Sequence, residues 1–164
     1  MCHSGMPLVD TKYFGTLPYR EESVFDFPFG LPAFENEKRF VPIELPEHAP
    51  LLFLQSLAQP ELCFLTLPIL VVEREYRLAI SSEDLAALEL DAARQPLLAS
   101  EALVLALVSL HDGFSATANL MAPIVVNLKT RRALQAIRQD VVYSHQHPVA
   151  SPRGNQELCL GEAC

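Results

Sequence analysis

Apolar and polar positions alternate in short bursts along most of this chain. Phe25 and Phe27 flank Asp26 within residues 23–27, the period-2 pattern of a half-buried strand. Residues 11–17 and 39–45 read as further strands, the second bounded by Pro46 and Pro50. Runs at 51–57 and 62–67 are joined by Ala58-Gln59-Pro60-Glu61, a connection of hairpin length. Residues 76–80 are another strand candidate. Gly30-Leu31-Pro32 must turn the chain, because Gly tolerates positive φ and Pro offers no ladder donor; Phe34 is the apolar anchor of that turn. At Ser81-Ser82-Glu83-Asp84-Leu85 a helix starts. Either serine can cap it, acidic residues fill its first turn, and the apolar spacing fails before Pro96.

Residues 102–110 are almost continuously apolar, so they form either a central strand buried on both faces or a buried helix. The β-branched neighbours and the closing loop His111-Asp112-Gly113 favour the strand. Residues 117–121 and 124–128 then make two strands around Pro123, which needs a bulge or an edge. A basic turn, Lys129-Thr130-Arg131-Arg132, leads to a last ordered element at 134–142, and periodicity is lost from Pro148 onward. The pattern predicts a leader at 1–9, a domain at 10–149 and a mobile tail at 150–164. Nine or ten short strands with one or two short helices predict a mainly β fold. The expected form is a small closed or nearly closed antiparallel barrel, which removes edge strands at modest size.

Composition sharpens this picture. A chain of 164 residues suits one domain with one core. Its 13 prolines, spread along the length, exclude long uninterrupted helices. The formal net charge is −8, and it is uneven: residues 1–128 hold 17 Asp/Glu against 7 Lys/Arg, residues 129–164 only 3 against 5. An acidic body is repelled by phosphate backbones, and Trp is absent from any stacking platform, so direct nucleic-acid binding is disfavoured. The same charge favours encounter with basic proteins. Cys2, Cys63, Cys159 and Cys164 form no C-x-x-C pair, and Cys63 sits in an apolar run as a small hydrophobe. Residues 1–10 lack a basic start and a signal-length apolar stretch, and the longest apolar run, 102–108, is too short for a membrane span. These features predict a soluble, reduced, cytoplasmic protein that is a monomer when free.

Candidate chemistry is sparse. His145 and His147 have metal-ligand spacing on a strand, but no third ligand lies near, and two solvated histidines explain them more simply. Cys2-His3 and the Cys159, Cys164 pair lie in terminal segments, where a preformed site is rare. His111-Asp112 lies beside Ser109 and Ser115 without a nucleophile elbow. Glu73 and Glu75 alternate with Arg74 and Arg77 as a solvated surface would. Six glycines are too few for a phosphate loop, and none stands in such a motif. A small metal-dependent hydrolase and a generic barrel-fold binder of small ligands stand as alternatives to a protein-binding role. Three amides inside apolar strands stand out: Gln55, Asn119 and Asn127. A buried amide left unpaired costs about 1–3 kcal/mol. Each therefore either satisfies irregular backbone, such as a bend at Pro123, or lies at a binding surface.

In chain order, several blocks resemble the FliW-type flagellar assembly factors. Thr11-Lys12-Tyr13-Phe14-Gly15 is similar to the family's opening strand, and Gly30-Leu31-Pro32-Ala33-Phe34-Glu35 to its Gly-[Ile/Leu]-Pro-Gly-Phe-Glu loop. Phe53-Leu54-Gln55-Ser56-Leu57 with Pro60-Glu61-Leu62-Cys63-Phe64 resembles its central hairpin. Asn119-Leu120-Met121-Ala122-Pro123-Ile124-Val125-Val126-Asn127 resembles its Asn-Leu-x-Ala-Pro-Ile-x-[Ile/Val]-Asn signature, and residues 143–148 its closing Tyr…His-Pro. Ala33 replaces the family's usual Gly, and Leu67-Pro68-Ile69 replaces its usual Asp-Pro pair. The resemblance implies a barrel-like fold, no enzyme activity and no cofactor. It implies a cytoplasmic chaperone that binds flagellin and the translational regulator CsrA, so that export of flagellin frees the factor to antagonise CsrA. Glu21, Glu22, Asp26, Glu35 and Glu37 flank the Gly30 loop and, with Gln55 and Ser56, are the expected partner contacts; a solvated acidic face is the competing reading of the acids. Gly30, Pro32, Phe34, Asn119, Pro123 and Asn127 are the expected structural motif.

Overall fold

The computed structural model describes residues 5–111, 114–138, 140 and 142–149. Cys2, His3, the Asp112-Gly113 pair, the segment read as a tail, and Cys159 and Cys164 within it lie outside the described residues. Among the described residues ten strands are present, all paired antiparallel: β1 Leu8–Thr11, β2 Gly15–Pro18, β3 Phe25–Asp26, β4 Arg39–Ile43, β5 Leu52–Ser56, β6 Cys63–Pro68, β7 Ala102–His111, β8 Phe114–Asn127, β9 Ala133–Gln135 and β10 His147–Pro148. Two short α-helices among the described residues, α1 Ile69–Val72 and α2 Ser82–Ala87, lie between β6 and β7.

The main sheet runs β10-β8-β7-β6-β5-β4-β3, with β9 also paired to β8. It curls until its ends meet: the Asp26 amide donates to the Arg131 carbonyl at 2.9 Å, and Asp26 bridges Arg132. This is the nearly closed barrel that the strand count predicts, and it leaves few edge groups unpaired. Phe25, Phe27, Phe40, Leu54, Leu105, Ile124 and Val126 fill its interior. Phe27 meets Phe40 edge-on at 5.4 Å. Each such fully buried side chain contributes about 1.5–3 kcal/mol of burial free energy.

A second core lies outside the barrel. The connection from β6 to β7 folds back over β7 and β8, burying Ile69, Tyr76, Leu78, Ile80, Leu85 and Leu88 against Val104, Ala106, Leu120 and Val125. Strand β7 therefore presents Leu105 to the barrel interior and its neighbours Val104 and Ala106 to the outer core. Its continuous apolar run is a strand covered on both faces. On the opposite side the β1–β2 hairpin covers β5, with Phe14 edge-on to Phe53 at 5.0 Å and the Lys12 amide bonded to the Pro60 carbonyl at 2.9 Å.

Several expectations need correction. Residues 11–17 are not one strand: Gly15, at φ 74°, reverses the chain into the β1–β2 hairpin. Strand β1 starts at Leu8, inside the segment read as a leader. Residues 76–80 bury alternate side chains as a strand would, yet they form no ladder and lie extended on the outer core. The two strands expected around Pro123 are one, β8. Of the last expected element, 134–142, only Leu134 and Gln135 are strand among the described residues, as part of β9. Helix α1, begun by Pro68, was hidden in an apolar run too short to show helical periodicity.

Candidate functional site

The signature segment of β8 contains a wide bulge. Leu105 pairs with Ile124, but Leu107 pairs with Asn119, so residues 120–123 stand opposite Ala106 alone. Every backbone group in the bulge is satisfied. The Asn119 side-chain oxygen accepts from the Met121 and Ala122 amides, each at 3.0 Å, and Pro123 has no amide to satisfy. The Leu120 amide donates to the Ser144 carbonyl. The Leu120, Met121, Ala122 and Pro123 carbonyls accept from Tyr76 Oη, Arg138 N, Gln135 Nε2 and Ala136 N. Asn119 thus braces the bend at Pro123. Asn127 braces a different place. Its Oδ1 accepts from the Lys129 amide at 2.8 Å and its Nδ2 donates to the Leu88 carbonyl at 2.8 Å, which ties the basic turn to the end of α2.

A cluster that sequence reading missed pins this region. Arg138 is 5 % exposed. Its guanidinium makes two 2.8 Å bonds to the Asp140 carboxylate, donates to Tyr76 Oη and the Arg77 carbonyl, and lies 4.6 Å from the Tyr143 ring centre. The hydrogen bonds to Arg138 hold the Asp140 carboxyl below the usual range. Burial pushes the Tyr76 phenol up, against the lowering effect of Arg138. One signal was available: Leu134, Ala136 and Arg138 share a period-2 face, so an arginine stands at an inward position.

Among the expected contacts, Glu37, Gln55 and Ser56 come together, but as a brace for the β5–β6 turn. Ser56 Oγ donates to Glu37 at 3.0 Å and accepts from the Ala58 and Gln59 amides, while Gln59 Nε2 donates to the other Glu37 oxygen. Gln55 Nε2 faces the Ser56, Gln59 and Pro60 carbonyls at 3.1–3.2 Å. Gln55 and Ser56 are both 0 % exposed, so in the free chain their side chains serve this turn and are not presented at the surface. Glu21 and Asp26 are exposed but share Arg39, at 2.5 and 3.7 Å, and Glu22 reaches Arg20 at 4.0 Å. These three exposed carboxylates thus share two arginines.

Glu35 differs. It stands on the Gly30 turn, beside a shallow cleft of about 260 Å³ lined also by Phe29, Pro32, Asp84, Leu134 and Gln135. Among the described residues, neither Glu35 nor Asp84 takes part in an ion pair. Ala33 in this turn has φ 72°, the left-handed conformation that Gly adopts without strain, which accounts for the Gly usual there in the family it resembles. His111 contacts Thr117 Oγ1 at 3.1 Å, while His145 lies before β10 and His147 within it. No group of three or more His, Cys, Asp or Glu among the described residues could hold a metal ion. No helix among them is long and apolar enough to cross a membrane.

The filled barrel, its covering β6–β7 connection and its braced bulge define a compact scaffold with open surface clefts. The architecture matches a crystal structure of the flagellar assembly factor FliW, with a TM-score of 0.75 and 26 % identity over 88 % of this chain and 98 % of that one. The FliW protein family model matches residues 8–149. The flagellar assembly factor FliW of Syntrophomonas wolfei is 35 % identical over 93 % of this chain and 94 % of its own length. That of Bacillus subtilis is 30 % identical over 87 % and 96 %. The chain belongs to the FliW family of flagellar assembly factors.

Proposed function

We propose that this protein binds flagellin in the cytoplasm and antagonises the translational regulator CsrA, coupling flagellin synthesis to export. Membership of the FliW family carries the reading. The net charge of −8 supports it, because a basic RNA-binding regulator is a natural electrostatic partner. The protein acts by binding, as a monomer when free, and performs no catalysis. Release of flagellin to export frees it to occupy CsrA, and flagellin translation resumes. Copurification with the flagellin and CsrA of its own host tests this directly. Both should be retained at micromolar concentration; retention of neither, with both partners folded, sinks the reading.

A further inference from the structure

We infer that the cleft between the Gly30 turn and α2 receives an arginine or lysine side chain from a segment of the basic protein partner. The inference rests on the proposed function and deepens it by naming a surface. Phe29 is 60 % exposed at the mouth of this cleft, although the turn that carries it is fixed. Gly30 has φ 65°, and a Cβ there would lie 2.5 Å from the Glu35 carbonyl oxygen. Leu31 and Phe34 exchange amide–carbonyl bonds at 3.3 and 2.7 Å, and Phe34 meets Phe64 edge-on at 5.5 Å. The exposure of Phe29 is thus built into a braced turn.

Chemistry selects the occupant. Buried Leu134 and exposed Pro32 supply apolar surface for an aliphatic stem, and Phe29 supplies a ring face for a cation. Glu35 and Asp84 supply two carboxylates that no cation among the described residues claims, unlike Glu21, Glu22 and Asp26. Glu35 is held in place by the Ala33 amide, which donates to one of its oxygens at 3.1 Å and leaves the other free. The volume, about 260 Å³, lies below the roughly 300–1,000 Å³ of small-molecule sites and suits one long side chain. A solvated acidic face would not require an uncovered phenylalanine in the same cleft.

The test measures the affinity of the full chain for CsrA, the basic partner, and for flagellin at one fixed salt concentration. The variants are Phe29→Ser and the double variant Glu35→Gln/Asp84→Asn. Glutamine keeps the acceptor for the Ala33 amide, so the charge is removed with the turn intact. Each variant should melt like the parent and bind CsrA at least about tenfold more weakly. A Glu73→Gln/Glu75→Gln control, in a separate cleft, should bind CsrA as the parent does. Parental affinity for CsrA in both cleft variants overturns the inference, and so does a loss confined to flagellin. If the parent chain binds neither protein, the proposed function fails, and the cleft assignment falls with it.

Discussion

Both ends of the Asn127 amide are used, and they join elements distant in sequence. Its oxygen organises the turn after β8, and its nitrogen holds the Leu88 and Glu89 carbonyls just past α2. At 3 % exposure, no water replaces these bonds freely. Asn127→Ala should therefore destabilise the protein by about 2–3 kcal/mol, read by urea unfolding. Asn127→Asp is the sharper probe, because a carboxylate still accepts from Lys129 but cannot donate to Leu88 and places charge against a carbonyl. It should cost at least as much as alanine; a near-neutral effect would show that the α2 contact contributes little. Sequence reading marked Asn127 as a buried amide in need of partners but could not name them, since Leu88 lies 39 residues away.

At the scale of elements, what was legible depended on whether the pattern was local. The β5–β6 hairpin, the doubly buried β7 and the Ser81 cap of α2 each leave a contiguous mark. Ser81 Oγ does accept the Asp84 amide, at 3.0 Å. Residues 76–80 carry the alternation of a strand without the ladder, because alternate burial needs only an extended chain on an apolar surface. The Arg138 pin left almost no mark: Asp140 is a near neighbour in sequence, but Tyr76 and Arg77 lie 62 and 61 residues away and meet it only in the fold. Together Ala136, Arg138 and Ser144 satisfy bulge backbone. Arg138→Met should cost about 2–3 kcal/mol, and Arg138→Lys should also destabilise, since an ammonium cannot fork onto Asp140 while reaching Tyr76. Asp140→Asn should cost less than Arg138→Met, because the Asp140 side chain is 40 % exposed and solvent screens its charge. Equal losses for Asp140→Asn and Arg138→Met would place the pin in the ion pair and not in the contacts to Tyr76 and Arg77.

The connection before β7 carries its own pH dependence. Glu101 accepts from Arg94 and from the Leu97 amide, and these bonds lower its carboxyl from the ordinary 4.5 to about 2, with the Arg94 hydrogen bond the largest cause. The folded state holds this proton less tightly than the unfolded state. The resulting stabilisation is full above the unfolded value of 4.5 and is lost as pH falls through about 2. The stability difference between the parent and Glu101→Gln should therefore be constant near neutrality and shrink steadily across that acid window. A difference that stays constant down to pH 2 would remove Glu101 from the account.

For the whole molecule, the question is how an acidic body meets its partner. The fold sets the acids apart by function: Glu21, Glu22, Asp26 and Glu101 are matched by arginines, and Glu37 is spent on a turn. The sequence showed all of them as equal charges, because pairing is decided by the folded surface. Internal pairing leaves the net charge at −8, and among the described residues Glu35 and Asp84 are unpaired carboxylates in a cleft with exposed Phe29. The field of that net charge acts at long range and is screened beyond roughly 8 Å at 0.15 M salt. Association with CsrA should slow markedly between about 0.05 and 0.5 M salt, while dissociation, set by close contacts, changes less. Stopped-flow mixing separates the two rates. The Glu35→Gln/Asp84→Asn variant should then speed dissociation more than it slows association, because two charges out of a larger field steer little but anchor closely. An association rate insensitive to salt would reject electrostatic steering while leaving the cleft contact to stand on dissociation alone.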